Sequence, residues 1–512
     1  MYNFEGTESF DVENGIEYPW RLIGSALQQC VEQHPIMGAV VDNPSSMTAS
    51  FRRLPKLLLS QHVNLVGDED EKLEVQPEGA GTDQTTMPAS LDKDETGGGS
   101  RAPPRTRSHF EEVLEQTVHL HFPHCDHYPN HPETPPWRVC IHPLPIPNET
   151  SVGSRRTRLL VVYNYSHSHG DGLSGLVFHR TFRQALSNSI NRDLESPGDW
   201  LRPGSVPLPA PPGPFPFSWS YFIGVLANEF MPWLPRLFFW GAAQSGPAWM
   251  GRPAFDDNRL QQTGVRLITV DGADLKAALR CCKANNIKLT GLLHLLIVRG
   301  LHIVLKARGI DHQAFVSGTT VDIRKPFGLP ANEMNNAASA VSHTFTPPES
   351  LETFTERELQ SARALGDKLV QCSSTTQDQV VGLLKYAGNI GNWLRGKMGK
   401  PRSQTYELSN LMVFDPESED ETSGTLTDQK SAAVDIESVC WTQPSDVVGQ
   451  VFSVNVVSLK GGDLSIAIAW QYGALGVEED YHAIPAAEDE FMNDLSSAIE
   501  REFVRWTNSS TS

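Results

Sequence analysis

The chain has 512 residues, 39% hydrophobic and 20% charged, which suits a soluble globular protein too long for one compact core. The net charge is −19, yet residues 68–95 hold ten acids against two lysines and residues 415–421 hold five acids and no base. The charge therefore reports on two loops, and with no basic stripe to offset it, it argues against nucleic acid as a partner.

In chain order, residues 20–41 read as a helix, with Leu22, Ile23, Ala26, Leu27, Cys30 and Val31 at helical spacing, running into a short strand at 38–41. Residues 67–107 are rich in Asp, Glu, Gly, Thr and Pro and read as a disordered insertion. A helix-like stretch follows at 110–117. Strands are expected at 137–142 and 159–165, the second an apolar and aromatic run of the kind buried on both faces. A helix is expected over 173–186. Seven prolines between 203 and 217 predict a stiff linker or a wrapping loop. Residues 217–240 are strongly apolar, but Glu229, Pro232, Pro235 and Arg236 interrupt the run. No clean membrane span of about 20 apolar residues exists there. An amphipathic segment that lines a lipophilic cavity or touches a membrane surface is expected instead.

The second half opens with a strand at 265–270 and a helix over 272–286. Thr290 reads as the N-cap of an apolar helix reaching about residue 305. A strand at 315–321 and a helical stretch over 353–397 follow. Short strands are expected at 406–414, 437–442 and 451–458. Lys460-Gly-Gly-Asp463 between two alternating runs signals a hairpin, with its second strand at 464–470. A last helix spans about 486–504. Division into an N-terminal part, 1–240, and a C-terminal part, 241–512, follows, with the acidic loop of the latter at about 415–432.

Seven cysteines at irregular spacing make no disulfide framework, and the first residues carry no basic or apolar leader. A reducing, cytoplasmic setting is expected.

The sharpest chemical feature is Tyr165-Ser-His-Ser-His-Gly-Asp-Gly172. His167 follows an apolar strand and precedes a helix that starts with small residues. A neutral imidazole in a cleft there can take a proton from an alcohol or amine. Asp171 need not touch the ring; it can hold the turn by binding backbone or an arginine. Gly172 allows the close approach or positive φ that such a turn requires. His-x-x-x-Asp is common by chance, so spacing alone makes His167 a candidate only.

The strand, His-x-x-x-Asp-Gly loop and helix resemble the CoA-dependent acyltransferase superfamily, which includes chloramphenicol acetyltransferase, plant acyltransferases and peptide-synthetase condensation domains. The surrounding sequence resembles the fungal alcohol acetyltransferase branch: Gln33-His34-Pro35, Leu289-Thr-Gly-Leu-Leu-His294, Thr320-Val-Asp-Ile-Arg324, Leu408-Ser-Asn-Leu411 and Phe452-Ser-Val-Asn-Val-Val-Ser458. The resemblance implies an α/β fold of two chloramphenicol-acetyltransferase-like subdomains, each a mixed sheet flanked by helices, with the active-site channel between them. It implies His167 as general base and Asp171 as a structural acid paired with Arg324. Ser409, Asn410, Thr442 and Gln443 are candidates for the oxyanion donor or pocket lining. Many members have His where this chain has Ser166, and the plant signature Asp-Phe-Gly-Trp-Gly is absent.

The implied reaction is transfer of an acyl group, acetyl in the first instance, from acyl-CoA to the hydroxyl of a lipophilic alcohol or secondary metabolite. No bound cofactor or metal is required, and a monomer with one complete site is expected. Amide-forming condensation and an inactive binding relative are the alternatives. His169 lies in the same loop at the wrong spacing and reads as a pocket or surface residue. His119, His121, His124, Cys125, Asp126, His127, His131, Cys140 and His142 are metal-ligand types at no standard zinc spacing. A polar loop is the simpler reading of that cluster, and helix packing is the simplest reading of Cys281-Cys282.

Overall fold

The computed structural model describes residues 2–5, 17–44, 46, 48–65, 133–144, 156–189, 198–230, 247–257, 260, 262–417, 434–444 and 447–508. The insertion at 67–107, the stretch at 110–117, the histidines from 119 to 131, residues 231–240 and the acidic loop beyond 417 lie outside the described residues.

The fold is α/β, with two mixed sheets each flanked by helices. The first sheet has the order β13-β1-β7-β6-β5, from β1 (Tyr2–Glu5), β5 (Val63–Leu65), β6 (Trp137–Leu144), β7 (Arg156–Tyr165) and β13 (Val434–Ile436). Helices α1 (Glu17–Gln33) and α2 (Gly172–Ser189) pack on it through Leu22, Leu27, Val31, Leu176, Phe178 and Phe182. His34, at the end of α1, meets Thr181 Oγ1 of α2 at 2.8 Å and fixes their relative position. Short pairs β2 (Ala39–Asp42) with β3 (Ser50–Arg53), and β4 (Leu57–Leu58) with β8 (Trp200–Leu201), edge this half.

The second sheet has the order β11-β10-β12-β14-β15-β9. Its strands are β9 (Thr263–Val270), β10 (Phe315–Asp322), β11 (Ala338–Phe345), β12 (Gln404–Phe414), β14 (Gln450–Leu459) and β15 (Leu464–Gln471). Strands β10, β12 and β14 run parallel and the other pairings are antiparallel. The β14–β15 turn holds Gly461 at φ +76°, a left-handed conformation that glycine adopts without strain.

In chain order the remaining helices are α3 (Trp219–Phe230), α4 (Gly272–Ala284), α5 (Leu289–Ala307), α6 (Glu356–Ser374), α7 (Ile390–Arg395) and α8 (Ile484–Asn508). Helix α4 starts where the Asp271 carboxylate accepts from the Ala273 and Asp274 amides, and Cys281 and Cys282 pack in its buried face. Helix α6 starts on a Thr355–Glu358 capping box. Helix α5 begins one residue before Thr290, with Lys288 in the N-cap position. Thr290 is therefore inside the helix and not its cap; its hydroxyl accepts from Asn410 Nδ2 at 3.2 Å. Helix α5 alone among the described residues is long and apolar enough to cross a membrane. It is the centre of the second core, and its Arg299 meets Glu502 at 2.6 Å and Glu358 at 2.9 Å with no exposure. That buried triad ties α5 to α6 and α8.

Three readings change. The helical stretch at 353–397 is α6, a 3-10 turn at Val380–Tyr386 and the short α7. Residues 437–442 form no strand; three residues earlier, β13 leaves the second half and pairs with β1 of the first. Strand β11, mostly of small and polar residues, has almost no apolar alternation to announce it and is missing from the sequence reading. The proline-rich stretch 203–217 does wrap the molecule. Gln28 Nε2 donates to the Arg202 carbonyl at 2.9 Å at one end, Asn335 Nδ2 donates to the Ala210 carbonyl at 2.8 Å, and Phe215 meets Phe327 edge-on.

Each core holds a neutral buried histidine. His62 stacks on Trp137, and burial lowers its pKa to about 4. His294 lies between Tyr406 Oη at 2.9 Å and Thr319 Oγ1 at 3.0 Å, and burial lowers it to about 3. The unfolded chain binds protons at these sites from about pH 6.5, so it binds more protons than the native state below that point. Stability is then full above pH 6.5 and falls as pH drops toward 4, at about 1.4 kcal/mol per pH unit for each such histidine. Urea unfolding at pH 7.0 and pH 4.5 measures this. His62→Gln is expected to flatten part of the slope, and an equal slope in wild type and variant would rule out His62 as a source.

Candidate active site

Strand β7 delivers the motif loop. Its residues 159–161 are buried, while 162–165 are half-buried. The chain then turns at 166–169, where the His169 amide donates to the Ser166 carbonyl at 2.9 Å, and α2 begins at Gly172. Asp171 caps this helix: its Oδ1 accepts from the Ser174 amide at 3.2 Å and the Ser174 hydroxyl at 3.1 Å. Tyr165 closes the loop beneath by donating its hydroxyl to the Asp171 carbonyl at 2.5 Å.

The same carboxylate holds the other half of the chain. Arg324 lies two residues beyond β10 and meets Asp171 in a two-pronged ion pair, with Nη1 to Oδ2 and Nη2 to Oδ1 both at 2.8 Å. Asp171 is 6% exposed and Arg324 2%. Burial alone would lower the guanidinium pKa, but the Asp171 carboxylate outweighs it and holds Arg324 above its usual value. The Ala337 amide donates to Asp171 Oδ2 at 3.0 Å, and Arg324 Nη2 donates to the Asn335 carbonyl at 2.9 Å. The segment before β11 is thus laid against the motif loop. Ser174 completes it, accepting from the Asn335 amide at 3.1 Å and donating to the Asn335 carbonyl at 3.0 Å.

His167 is exposed at the crest of the loop. Its carbonyl accepts from Asn336 Nδ2 at 2.7 Å, and the same nitrogen is 3.0 Å from its ring Nδ1. Asn336 is missing from the sequence reading. Its only signal is position, two residues ahead of a strand that carries no apolar period.

His169 is not a surface residue. Its ring is buried, with Nε2 3.0 Å from the Ala39 carbonyl and Nδ1 2.8 Å from Ser168 Oγ. Burial lowers its pKa to about 4. It pins the loop to β2 as a neutral ring.

Gly172 works through close approach. A β-carbon there would lie 2.7 Å from Leu411 Cδ2 and 3.3 Å from the Trp441 ring. The candidates Asn410 and Thr442 are sequence neighbours of those two side chains. Ser409 Oγ accepts from Thr320 Oγ1 at 2.7 Å, Asn410 Nδ2 donates to Thr290, and Gln443 Nε2 donates to Glu407 at 2.9 Å. Thr442 Oγ1 is 3.5 Å from the Gln443 carbonyl. These four therefore bond within the second half, and none of these bonds reaches His167. Among the described residues no group of three or more His, Cys, Asp or Glu is placed to hold a metal, and the histidines from 119 to 131 lie outside them.

Removing one partner of a buried, hydrogen-bonded ion pair costs about 3–5 kcal/mol. Asp171→Ala or Arg324→Ala is expected to lower stability by that amount, and the double variant by less than the sum, because neither charge is left alone. Chemical denaturation of the three variants checks this; additive losses would mean that the pair is not coupled.

No family model matches the chain. A probable alcohol acetyltransferase of Fusarium pseudograminearum is 25% identical over 379 residues, covering 69% of this chain and 71% of that protein. A second, from Aspergillus fumigatus, is 22% identical over 362 residues, covering 67% and 68%. The solved structure of trichothecene 15-O-acetyltransferase from Fusarium sporotrichioides superposes with a TM-score of 0.52 at 12% identity, over 97% of this chain and 89% of that one. By sequence the chain is similar to these two probable fungal alcohol acetyltransferases, and its fold is similar to that of the trichothecene 15-O-acetyltransferase.

Proposed function

We propose that the chain transfers an acetyl group from acetyl-CoA to the hydroxyl of a lipophilic alcohol. One observation carries the reading: an exposed histidine stands on a loop whose buried acid locks the two halves together at that point. His167 takes the hydroxyl proton, and the alcohol oxygen attacks the thioester carbonyl. The tetrahedral intermediate collapses, the carbon–sulfur bond breaks, and the departing thiolate recovers the proton from His167. Ser409, Asn410, Thr442 and Gln443 are the candidates to donate to the oxyanion or line the pocket. No acyl-enzyme is required. Burial raises the thiol pKa of Cys30, and pushes those of Cys282 and Cys440 up to about 12, so none of these three offers a ready thiolate.

Free thiol release from acetyl-CoA, followed with a panel of alcohols, tests the reaction. His167→Ala is expected to lower the rate by about 100- to 10,000-fold. Full activity in that variant would overturn the assignment.

The reading extends to peripheral contact with an anionic membrane surface, from which a greasy alcohol could be drawn. Of fifteen large hydrophobic side chains exposed among the described residues, eight fall between 219 and 223 or between 370 and 393, including Trp219, Ile223, Tyr386 and Trp393. Residues 379–406 contain Lys385, Arg395, Lys397, Lys400 and the buried Arg402 and no acid, in a chain of net charge −19. Exposed aromatic groups beside cations suit a lipid headgroup layer. Co-sedimentation with phosphatidylserine-containing vesicles is expected, with loss in a Trp219→Ser, Trp393→Ser double variant and in 0.5 M salt. Equal sedimentation with the variant would remove the proposal.

A further inference from the structure

The face of the second sheet turned toward the first half is built largely from small and polar side chains. Leu411 and Val457 lie on this face and pack in the first core, which shows where it points. Strand register places Ser409 beside Asn455 and Asn455 beside Ala467, and the row before it holds Glu407, Ser453 and Ala469. Leu408, Val454 and Ile468 alternate with them and fill the second core on the opposite face.

Asn455 is fully buried in this row and poorly satisfied. Its Nδ2 reaches Ser453 Oγ at 3.4 Å and the Ala467 carbonyl at 3.5 Å, and its Oδ1 has no hydrogen-bond partner among the described residues. Turning the amide over would set its oxygen against the Ala467 carbonyl. A buried acceptor left unmade costs more than a typical hydrogen bond returns. The neighbouring side chain has the complementary need. Ser409 is 5% exposed, its oxygen accepts from Thr320 Oγ1 at 2.7 Å, and its own proton has no acceptor among the described residues.

An unpaired acceptor and an unpaired donor thus stand side by side on β14 and β12. A carbonyl only accepts and an ammonium only donates, whereas a hydroxyl does both. Ser409 is two residues, about 7 Å, from Leu411, whose side chain lies against Gly172 at the start of α2. The segment from Cys440 to Gln443 lies over the same face, with Cys440 on Leu267 and Ala467 and Gln443 on Glu407. It belongs to no strand or helix, so a group reaches the row by displacing side chains, without breaking a sheet ladder.

We propose that Ser409 and Asn455 bind a second hydroxyl of the acceptor, which makes that acceptor a diol or polyol with a hydroxyl remote from the one acylated. The proposal rests on the alcohol acetyl transfer put forward above and narrows its substrate class. Ser409 then lines the pocket, and Thr320, by occupying a lone pair of Ser409, turns the serine proton toward the bound hydroxyl.

Straight-chain α,ω-diols, each set against the 1-alkanol of equal length, test this. Two equivalent hydroxyls alone raise kcat/KM about 2-fold, whereas two added hydrogen bonds raise it about 10- to 100-fold at the length that spans both points. Wild type is expected to show the larger ratio, and Asn455→Ala and Ser409→Ala the smaller. The small ratio at every length in wild type, as a buried water in the row would give, would overturn the proposal, and so would an unchanged ratio in Asn455→Ala. Circular dichroism reports that each variant is folded. Melting temperature without acetyl-CoA gives a readout independent of turnover. The preferred diol is expected to raise it in wild type more than the alkanol does, and to lose that advantage in Asn455→Ala. Equal shifts from diol and alkanol in wild type would count against the site. A diol-specific shift with no acetyl transfer would refute the proposed function and leave the hydroxyl site standing.

Discussion

The ion pair between Asp171 and Arg324 is the constraint on which the site depends. Taking a carboxylate and a guanidinium out of water is expensive, and mutual attraction offsets the cost only with good geometry and satisfied neighbours. Here both prongs are 2.8 Å long, and the carboxylate also accepts two bonds from Ser174 and one from the Ala337 amide. The carboxylate also sits at the start of α2, where a negative charge meets the positive end of the helix dipole. One side chain thus caps a helix, shapes the loop in front of it and fastens the loop to the opposite half.

The halves are inseparable for reasons beyond that pair. Strand β13 comes from the second half of the chain and completes the first sheet beside β1. The core under the first sheet contains Met334, Leu411, Phe414, Val434, Val439 and Val457 beside the residues of α1 and α2. Removing the second half would expose that apolar surface to water, at about 25 cal/mol per Å². Gly172 belongs to the same argument, because a β-carbon there would press on Leu411 and Trp441 where they meet the start of α2.

What the sequence made legible follows a physical line. Strongly periodic or apolar segments were readable: α1, α2, α5, β7, β14, β15 and the Lys460–Asp463 hairpin. His167, Asp171, Gly172 and Arg324 were readable as a set only through the resemblance, since His-x-x-x-Asp alone is common. Three kinds of feature were hidden. Strand β11, Ala-Ser-Ala-Val-Ser-His-Thr-Phe, is half-buried and nearly without apolar alternation, so no period marks it. Strand β13 is three residues long and is defined by its partner, β1. Asn336 sits in an irregular segment whose place is set by backbone bonds to residues more than 160 positions away. The cap of α5 was misplaced because Thr290 has the right chemistry for an N-cap, yet its hydroxyl is engaged with Asn410 across the sheet.

His167 and His169 show how two like side chains, two residues apart, acquire different roles. His169 turns inward, bonds the Ala39 carbonyl and is held neutral by burial. Its bonds to the Ala39 carbonyl and Ser168 hold the shape of the loop. His167 turns outward and keeps access to solvent, and an exposed ring has no packing to fix its rotamer. The fold supports it from outside the ring. Asp171 and Arg324 immobilise the backbone below, His169 pins the loop at β2, and the segment from Asn335 to Ala337 brings the Asn336 amide to His167. Rigidity is placed in the surroundings of His167, and its ring is left exposed.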